Sequence, residues 1–201
     1  MSDFPIALHG ERLKAVVIGG GPVGTRKALA LAEAGAQVRV VSPEITPALR
    51  DAEQARTLTI LRDSYRAQQL EGATLVVAAT DSREVNAQIA LDAQVRGKLV
   101  NITDFPDEGN FHTMALHRSG DVTIAVSAGG VPGAAARIRD AIAERFDGRY
   151  ERAISALRGL RSRLIAGGGE RWRDAAPKLL ADDFCSSVED GSFSRKVDSW
   201  R

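Results

Sequence analysis

Cysteine is nearly absent from this chain. Cys185 is the only one among 201 residues, so no disulfide can close within the chain and no site of several thiolates can hold a metal. Cys185 lies in a polar stretch and reads as an ordinary free thiol. A reducing, cytoplasmic setting is the expectation. Long apolar runs are missing too: no stretch of about 18 apolar residues occurs, so no membrane span is expected. Residues 1–11 lack the basic start and apolar run of a signal peptide. Neither sign of charge dominates, with 27 Lys and Arg against 26 Asp and Glu. That balance gives no ground for a nucleic-acid partner. Histidines number three. No G-x-x-x-x-G-K-[ST] sequence occurs, so an ATPase reading has no support. Internal repeats and low-complexity stretches are lacking. The 44% hydrophobic content is enough for a real core.

What is present is a glycine cluster. Residues 15–24 read AVVIGGGPVG: a short β-branched run stops at G-x-G-x-x-G, formed by Gly19, Gly21 and Gly24. A helical segment follows at once. This strand–turn–helix context gives the motif its meaning. Gly19 permits the tight turn, Gly21 lets the backbone approach a pyrophosphate, and Gly24 lets the helix pack close to the strand. Pro22 and Val23 complete the first helical turn, whose free N–H groups face the anion. Dinucleotide binding is the reading, against a merely structural glycine turn.

Strands are predicted over residues 13–18, 38–41, 58–61, 74–79 and 98–102, with helices over 22–34, 47–55 and 86–96 between them. Such alternation predicts an α/β fold, a Rossmann-type parallel sheet covered on both faces. After Asp104 the pattern changes. Residues 111–117 and 122–126 read as a hairpin joined by residues 118–121. Ala134, Ile138, Ile142 and Phe146 then form one helical stripe, and Ile154, Leu157, Leu160 and Leu164 another. A further short helix is expected over 171–180, and the tail from Asp182 reads as polar and frayed or loosely docked. Three regions result: 1–110, a NAD-binding Rossmann domain; 111–147, a hairpin and helix that dimerise; and 148–201, a C-terminal helical region. The two stripes have little partner surface in a thin second half. They pack either on the Rossmann part or on a second copy of the chain, and the second copy, a homodimer, is the expectation.

Ligands of such sheets bind outside the carboxyl ends of the strands. Strand two ends in Ser42-Pro43-Glu44. Ser42 can bond a ribose hydroxyl, with Pro43 and Glu44 helping through their backbone. No arginine follows to hold a 2′-phosphate, which favours NAD over NADP. Strand four ends in Thr80-Asp81, where a ribose or nicotinamide lies; Asp81 reads equally well as a helix N-cap. Strand five ends in Asp104. A carboxylate there can accept a proton as hydride leaves a substrate, or ligate a metal, or be a solvated loop residue. His112 faces either a cleft or a half-buried strand position. Ser127 lies in a loop and suits a phosphate or carboxylate. Eight arginines between Arg137 and Arg163 read as a solvated helix face, or as partners for a substrate rich in carboxylates.

Taken together, these pieces resemble the precorrin-2 dehydrogenase family of sirohaem synthesis, the dehydrogenase and ferrochelatase module found alone or fused to a methyltransferase. Phe4-Pro5-Ile6 opens the match. Residues 17–27, Ala78-Ala79-Thr80-Asp81 with Asn86, residues 101–104, and residues 124–130 continue it. The likeness spans residues 1–180. It implies NAD-dependent oxidation of precorrin-2 to sirohydrochlorin, with Asp104 serving dehydrogenation and, in bifunctional members, metal insertion; His112 is the other candidate metal ligand. Fe2+ is the expected metal. It implies a tetrapyrrole substrate contacted by Asn101, Ser127 and Arg137, and a dimer made by the second half. The chain departs from the family pattern at Met114, at Ser127-Ala128 and at Val131-Pro132-Gly133, positions around the substrate rather than the cofactor turn. The methyltransferase module is not expected, as the chain ends at Arg201. Two other readings compete: another NAD(P)-dependent oxidoreductase, and a dinucleotide-sensing regulatory domain.

Overall fold

The computed structural model describes residues 3–200. Met1, Ser2 and Arg201, the ends of the first and last regions drawn from the sequence, lie outside the described residues. The chain divides into two compact units, Met1–His112 and Thr113–Arg201.

The first unit is built on five parallel strands: β1 (Lys14–Ile18), β2 (Gln37–Val41), β3 (Thr59–Leu61), β4 (Leu75–Ala78) and β5 (Leu99–Ile102). Their order is β3-β2-β1-β4-β5. Chain order reverses between β1 and β4, and this crevice is where open α/β sheets bind ligands. The strand cores are β-branched, and pleating sends alternate residues to opposite faces. Ala15 and Val17 of β1, with Val38 and Val40 of β2, pack beside Ala28, Leu49 and Ala52. Those partners come from α1 (Pro22–Glu33) and α2 (Pro47–Gln54). Val16 and Ile18 face the other way, with Ile89, Ala90 and Ala93 of α3 (Arg83–Val95). Each such buried Val or Ile contributes about 1.5–3 kcal/mol relative to exposure. The central strands are therefore covered on both faces, as the alternation of strands and helices predicts, while the edge strand β3 is partly exposed.

The free edge of β5 is covered by a side chain. Asn110 Oδ1 accepts from Val100 N at 2.7 Å, and Asn110 Nδ2 donates to Lys98 O at 2.9 Å. This amide stands in for the peptide of a sixth strand. The predicted strand over residues 111–117 begins only at Ala115; at its start, Phe111 is held at β5, its carbonyl accepting from Asn101 Nδ2.

The second unit starts with that hairpin, β6 (Ala115–Ser119) and β7 (Val122–Val126), antiparallel with Ser119 opposite Val122. Gly120 sits in the turn at φ +56, and a β carbon there would come within 2.3 Å of Glu151 Cγ. The helices α4 (Pro132–Arg145), α5 (Gly148–Ala166), α6 (Glu170–Leu179), α7 (Phe184–Glu189) and α8 (Phe193–Asp198) follow. Two expectations need correction here. The tail is not frayed: Val188, Phe193 and Val197 are buried in one cluster with Leu160 and Leu164 of α5. Consequently the α5 stripe is covered by its own chain. The α4 stripe is not, with Ile138 47% exposed.

Candidate nucleotide site at the carboxyl ends of the strands

The turn after β1 is shaped by glycines that have no alternative. Gly19 holds φ +113, and a β carbon there would lie 2.1 Å from Ala79 O, where β1 and β4 diverge. One at Gly24 would lie 2.0 Å from Gly19 O, so α1 can approach β1 only with glycine here. Gly20, which the sequence motif does not single out, is equally tight: its β carbon would meet Glu44 O at 2.2 Å. Gly21 differs. A β carbon there meets nothing within 4 Å. It is the N-cap of α1, with no side-chain cap, Pro22 at the first position and no acidic residue in the first turn. The helix end thus presents uncapped N–H groups beside open space and no competing carboxylate. A pyrophosphate fits that cradle.

Around the turn, each predicted residue has a definite setting. Pro22 and Val23 are exposed beside Gly21. Ser42 is buried, with its side chain against Gly20 and its N–H on Leu61 O at 3.1 Å. Pro43 and Glu44 are exposed. A latch that sequence reading missed joins this loop to the glycine turn. Thr25 Oγ1 lies 2.8 Å from Thr46 Oγ1, and Thr46 N donates to Gly20 O at 3.2 Å. Thr46 also caps α2, accepting from Leu49 N. The hydroxyls at Thr25 and Thr46 were the available signal, but their meeting is a matter of tertiary structure.

At the end of β4 the arrangement hangs on Asn86, which is fully buried. Its Oδ1 accepts from Thr80 N at 3.2 Å and from Thr80 Oγ1 at 2.8 Å, and its Nδ2 donates to Thr80 O at 3.0 Å. Thr80 is therefore gripped at three atoms by one side chain, and its hydroxyl proton is used internally. Ser82, not Asp81, caps α3, accepting from Val85 N at 3.3 Å. The N-cap alternative for Asp81 is thereby removed, since a single residue occupies that cap. Asp81 is exposed.

At the end of β5, Asp104 is exposed on a bend. Asn101 points inward: it is 5% exposed and donates Nδ2 to Phe111 O at 3.2 Å. Its Oδ1 is buried without a partner among the described residues. His112 Nε2 stands 3.6 Å from Asp3 Oδ2. Among the described residues, no three His, Cys, Asp or Glu side chains converge as metal ligands. Ser127 and Arg137 belong to the second unit, where both are exposed, Ser127 just after β7 and Arg137 on α4. A cavity of about 570 Å³ lies elsewhere, at the amino ends of the strands among Lys14, Arg39 and Arg56.

A parallel sheet in this order, with this turn at its switch point, defines a Rossmann-type dinucleotide-binding protein. The family model for NAD(P)-binding domains (NAD_binding_7) matches residues 6–115. The chain belongs to this NAD(P)-binding family. It is 37% identical over 183 residues to a siroheme synthase of Chromobacterium violaceum, covering 90% of this chain and 36% of that one. A siroheme synthase of Methylobacillus flagellatus is 31% identical over 199 residues, covering 96% and 43%. The chain thus spans about two fifths of the length of these curated relatives. A solved structure described as SirC, precorrin-2 dehydrogenase, shares the fold with a TM-score of 0.80 at 22% identity, over 98% of this chain and 100% of that one. Among the described residues, no helix is long and apolar enough to cross a membrane.

Proposed function

We propose that this chain oxidises precorrin-2 to sirohydrochlorin with NAD as the hydride acceptor, in the formation of sirohaem or a related tetrapyrrole. The observation that carries this reading is the 37% identity to a siroheme synthase along 90% of the chain, joined to an open anion cradle at Gly21. The matching SirC fold, described as a precorrin-2 dehydrogenase, supports it.

In this reading the α1 N-terminus with Gly19, Gly21, Pro22, Val23 and Gly24 holds the pyrophosphate. Ser42, Pro43 and Glu44 line the adenosine side; the absence of an arginine there favours NAD over NADP. The backbone of Thr80, with Asp81, borders the nicotinamide side. NAD, when bound, supplies the acceptor for the hydride leaving a ring carbon. The reaction also releases a proton, and Asp104 accepts it: it stands just past the carboxyl end of β5, exposed. The same carboxylate, with His112, guides a divalent metal into sirohydrochlorin as a second substrate. Exposed Ser127 and Arg137 take substrate carboxylates, and Asn101, which holds Phe111, contributes to the substrate side. A second copy of the chain covers α4, where Val131 and Ile138 are 56% and 47% exposed. The single cysteine suits a cytoplasmic setting.

The test is incubation of the purified chain with precorrin-2 and NAD, followed by absorbance. Sirohydrochlorin and NADH should accumulate together. Asp104→Ala should lower kcat by roughly 100-fold or more, with little change in NAD affinity. NAD binding without turnover of the tetrapyrrole would instead favour a dinucleotide sensor. Near-normal oxidation by Asp104→Ala would remove the role given to that carboxylate.

A further inference from the structure

Among the described residues, the backbone of the loop carrying Asp104 bonds to the sheet at the two ends of the loop. Thr103 N donates to Ala78 O at 3.0 Å, and Asn110 N donates to Val100 O at 2.9 Å. Between them the chain turns on itself through Glu108 N to Phe105 O and Gly109 N to Pro106 O. Asp104, Phe105, Pro106 and Asp107 are all exposed. The Asp104 carboxylate accepts no hydrogen bond from a described residue; the loop backbone and the nearby charge of Arg83 act on it.

One stripe of α3 grips that loop from outside. Arg83, in the first turn, stands with its guanidinium carbon 4.9 Å from the centre of the Phe105 ring and is ion-paired with Glu108. Gln94, in the last turn, donates Nε2 to Glu108 O at 2.8 Å. Positions 83 and 94 are about three turns apart at 3.6 residues per turn, which puts them on one face. Glu108 needs this grip. Its other carboxylate oxygen is buried without a partner among the described residues, so Arg83 is the cation that compensates its charge. The Glu108 hydrogen bond, and after it the charges of Glu108 and Asp104, hold the Arg83 guanidinium above its ordinary pKa. Arginine suits this position because its flat cation stacks on a ring while its N–H fork meets a carboxylate; lysine meets the carboxylate only as a point charge and has no flat face to stack.

We propose that Arg83 is a positioning residue for the reaction, holding the Asp104 loop through Phe105 and Glu108 while Gln94 fixes its far end. The proposal rests on the reading of Asp104 as proton acceptor. Placement errors near 1 Å can cost up to about 100-fold in rate, so a loosened loop should show chiefly in kcat.

Four proteins would be compared in full length: wild type, Arg83→Ala, Arg83→Lys and Asp104→Ala. Precorrin-2 oxidation would be read as separate kcat and KM for NAD, alongside hydrogen exchange by mass spectrometry. Arg83→Ala should lower kcat by about 10-fold and leave KM for NAD within about twofold of wild type. Exchange should quicken across residues 104–109 and stay unchanged across residues 15–24. Arg83→Lys should restore part of kcat and part of the protection. Unchanged exchange across 104–109 in Arg83→Ala would overturn the proposal, as would faster exchange with an unchanged kcat. A loss of kcat matched by an equal rise in KM and by faster exchange at residues 15–24 would also overturn it, because that marks general unfolding. Asp104→Ala separates the two ideas. Wild-type turnover there would sink the role of Asp104, while the exchange data would still decide whether Arg83 holds the loop.

Discussion

A β carbon at Gly21 would touch nothing, whereas one at Gly24 would strike the carbonyl of Gly19 at 2.0 Å. Two glycines of one motif thus carry different burdens: Gly21 leaves room for a ligand, and Gly24 lets a helix lie on a strand. They should separate by mutation. Gly21→Asp should fold normally, since space is available. Its carboxylate would face the pyrophosphate, and like charges brought together cost several kcal/mol, so NAD affinity should fall by about 100-fold or more. Gly24→Ala should instead lose stability, by about 1–3 kcal/mol as overpacked sites do. Calorimetric titration with NAD and thermal unfolding of both variants would check this. Equal NAD affinity in a folded Gly21→Asp protein would contradict the site. The same distinction between contact and support applies to Asn86 and Asn101. Both are buried amides that hold backbone: Asn86 bonds Thr80 at three atoms, and Asn101 donates to Phe111 O.

At the scale of elements, α7 poses the sharpest question, because a helix of six residues has little stability of its own. Its stability is borrowed. Phe184 packs edge-on against Phe193 with ring centres 5.1 Å apart, and Val188 is buried beside α5. Glu189 closes the element by accepting from Arg145 Nε at 2.6 Å and from the Tyr150 hydroxyl at 2.8 Å. The Arg145 bond first, and then the Tyr150 bond, hold the Glu189 carboxyl below its ordinary value. Burial, helped by Glu189, pushes the Tyr150 hydroxyl up. The signs follow from linkage. Glu189 contributes its stabilisation above the unfolded carboxylate value, near 4.3, and loses it as pH falls through the lowered folded value. Tyr150 contributes below its unfolded value, near 10, and loses it as pH rises further. Both tryptophans, Trp172 and Trp200, pack against this cluster. Their emission should therefore shift below about pH 4, and Glu189→Gln should shift it at neutral pH while flattening the acid response. An acid response identical in Glu189→Gln would show that another group docks the tail.

For the whole molecule, the open matter is what covers α4. Within the chain only Ala135 of that helix is buried, and Leu116 of the hairpin is 45% exposed. A two-fold interface would bury these positions against their copies. Ile138→Asp should then shift the sedimentation of the protein at micromolar concentration from dimer to monomer, with the thermal stability of the first unit little changed. A wild-type protein that sediments as a monomer would contradict the interface.

The sequence by itself determined the parallel sheet, the glycine turn and the place of Asp104 at a strand end. These are local facts. A β-branched run, a glycine cluster and a strand terminus are each written within a few consecutive residues, and the sheet follows from their alternation. Only the tertiary structure decided which residues grip and which are free. Ser82 rather than Asp81 caps α3 because a cap depends on the first helical N–H groups, not on residue type alone. Asn101 turns inward because Phe111, ten residues away, places a carbonyl in its reach. The polar tail docks because Glu189 meets Tyr150, 39 residues away, and because Phe193 and Val197 find α5. Such contacts join residues far apart in the chain, so no local pattern records them, and burial is decided only when both partners arrive.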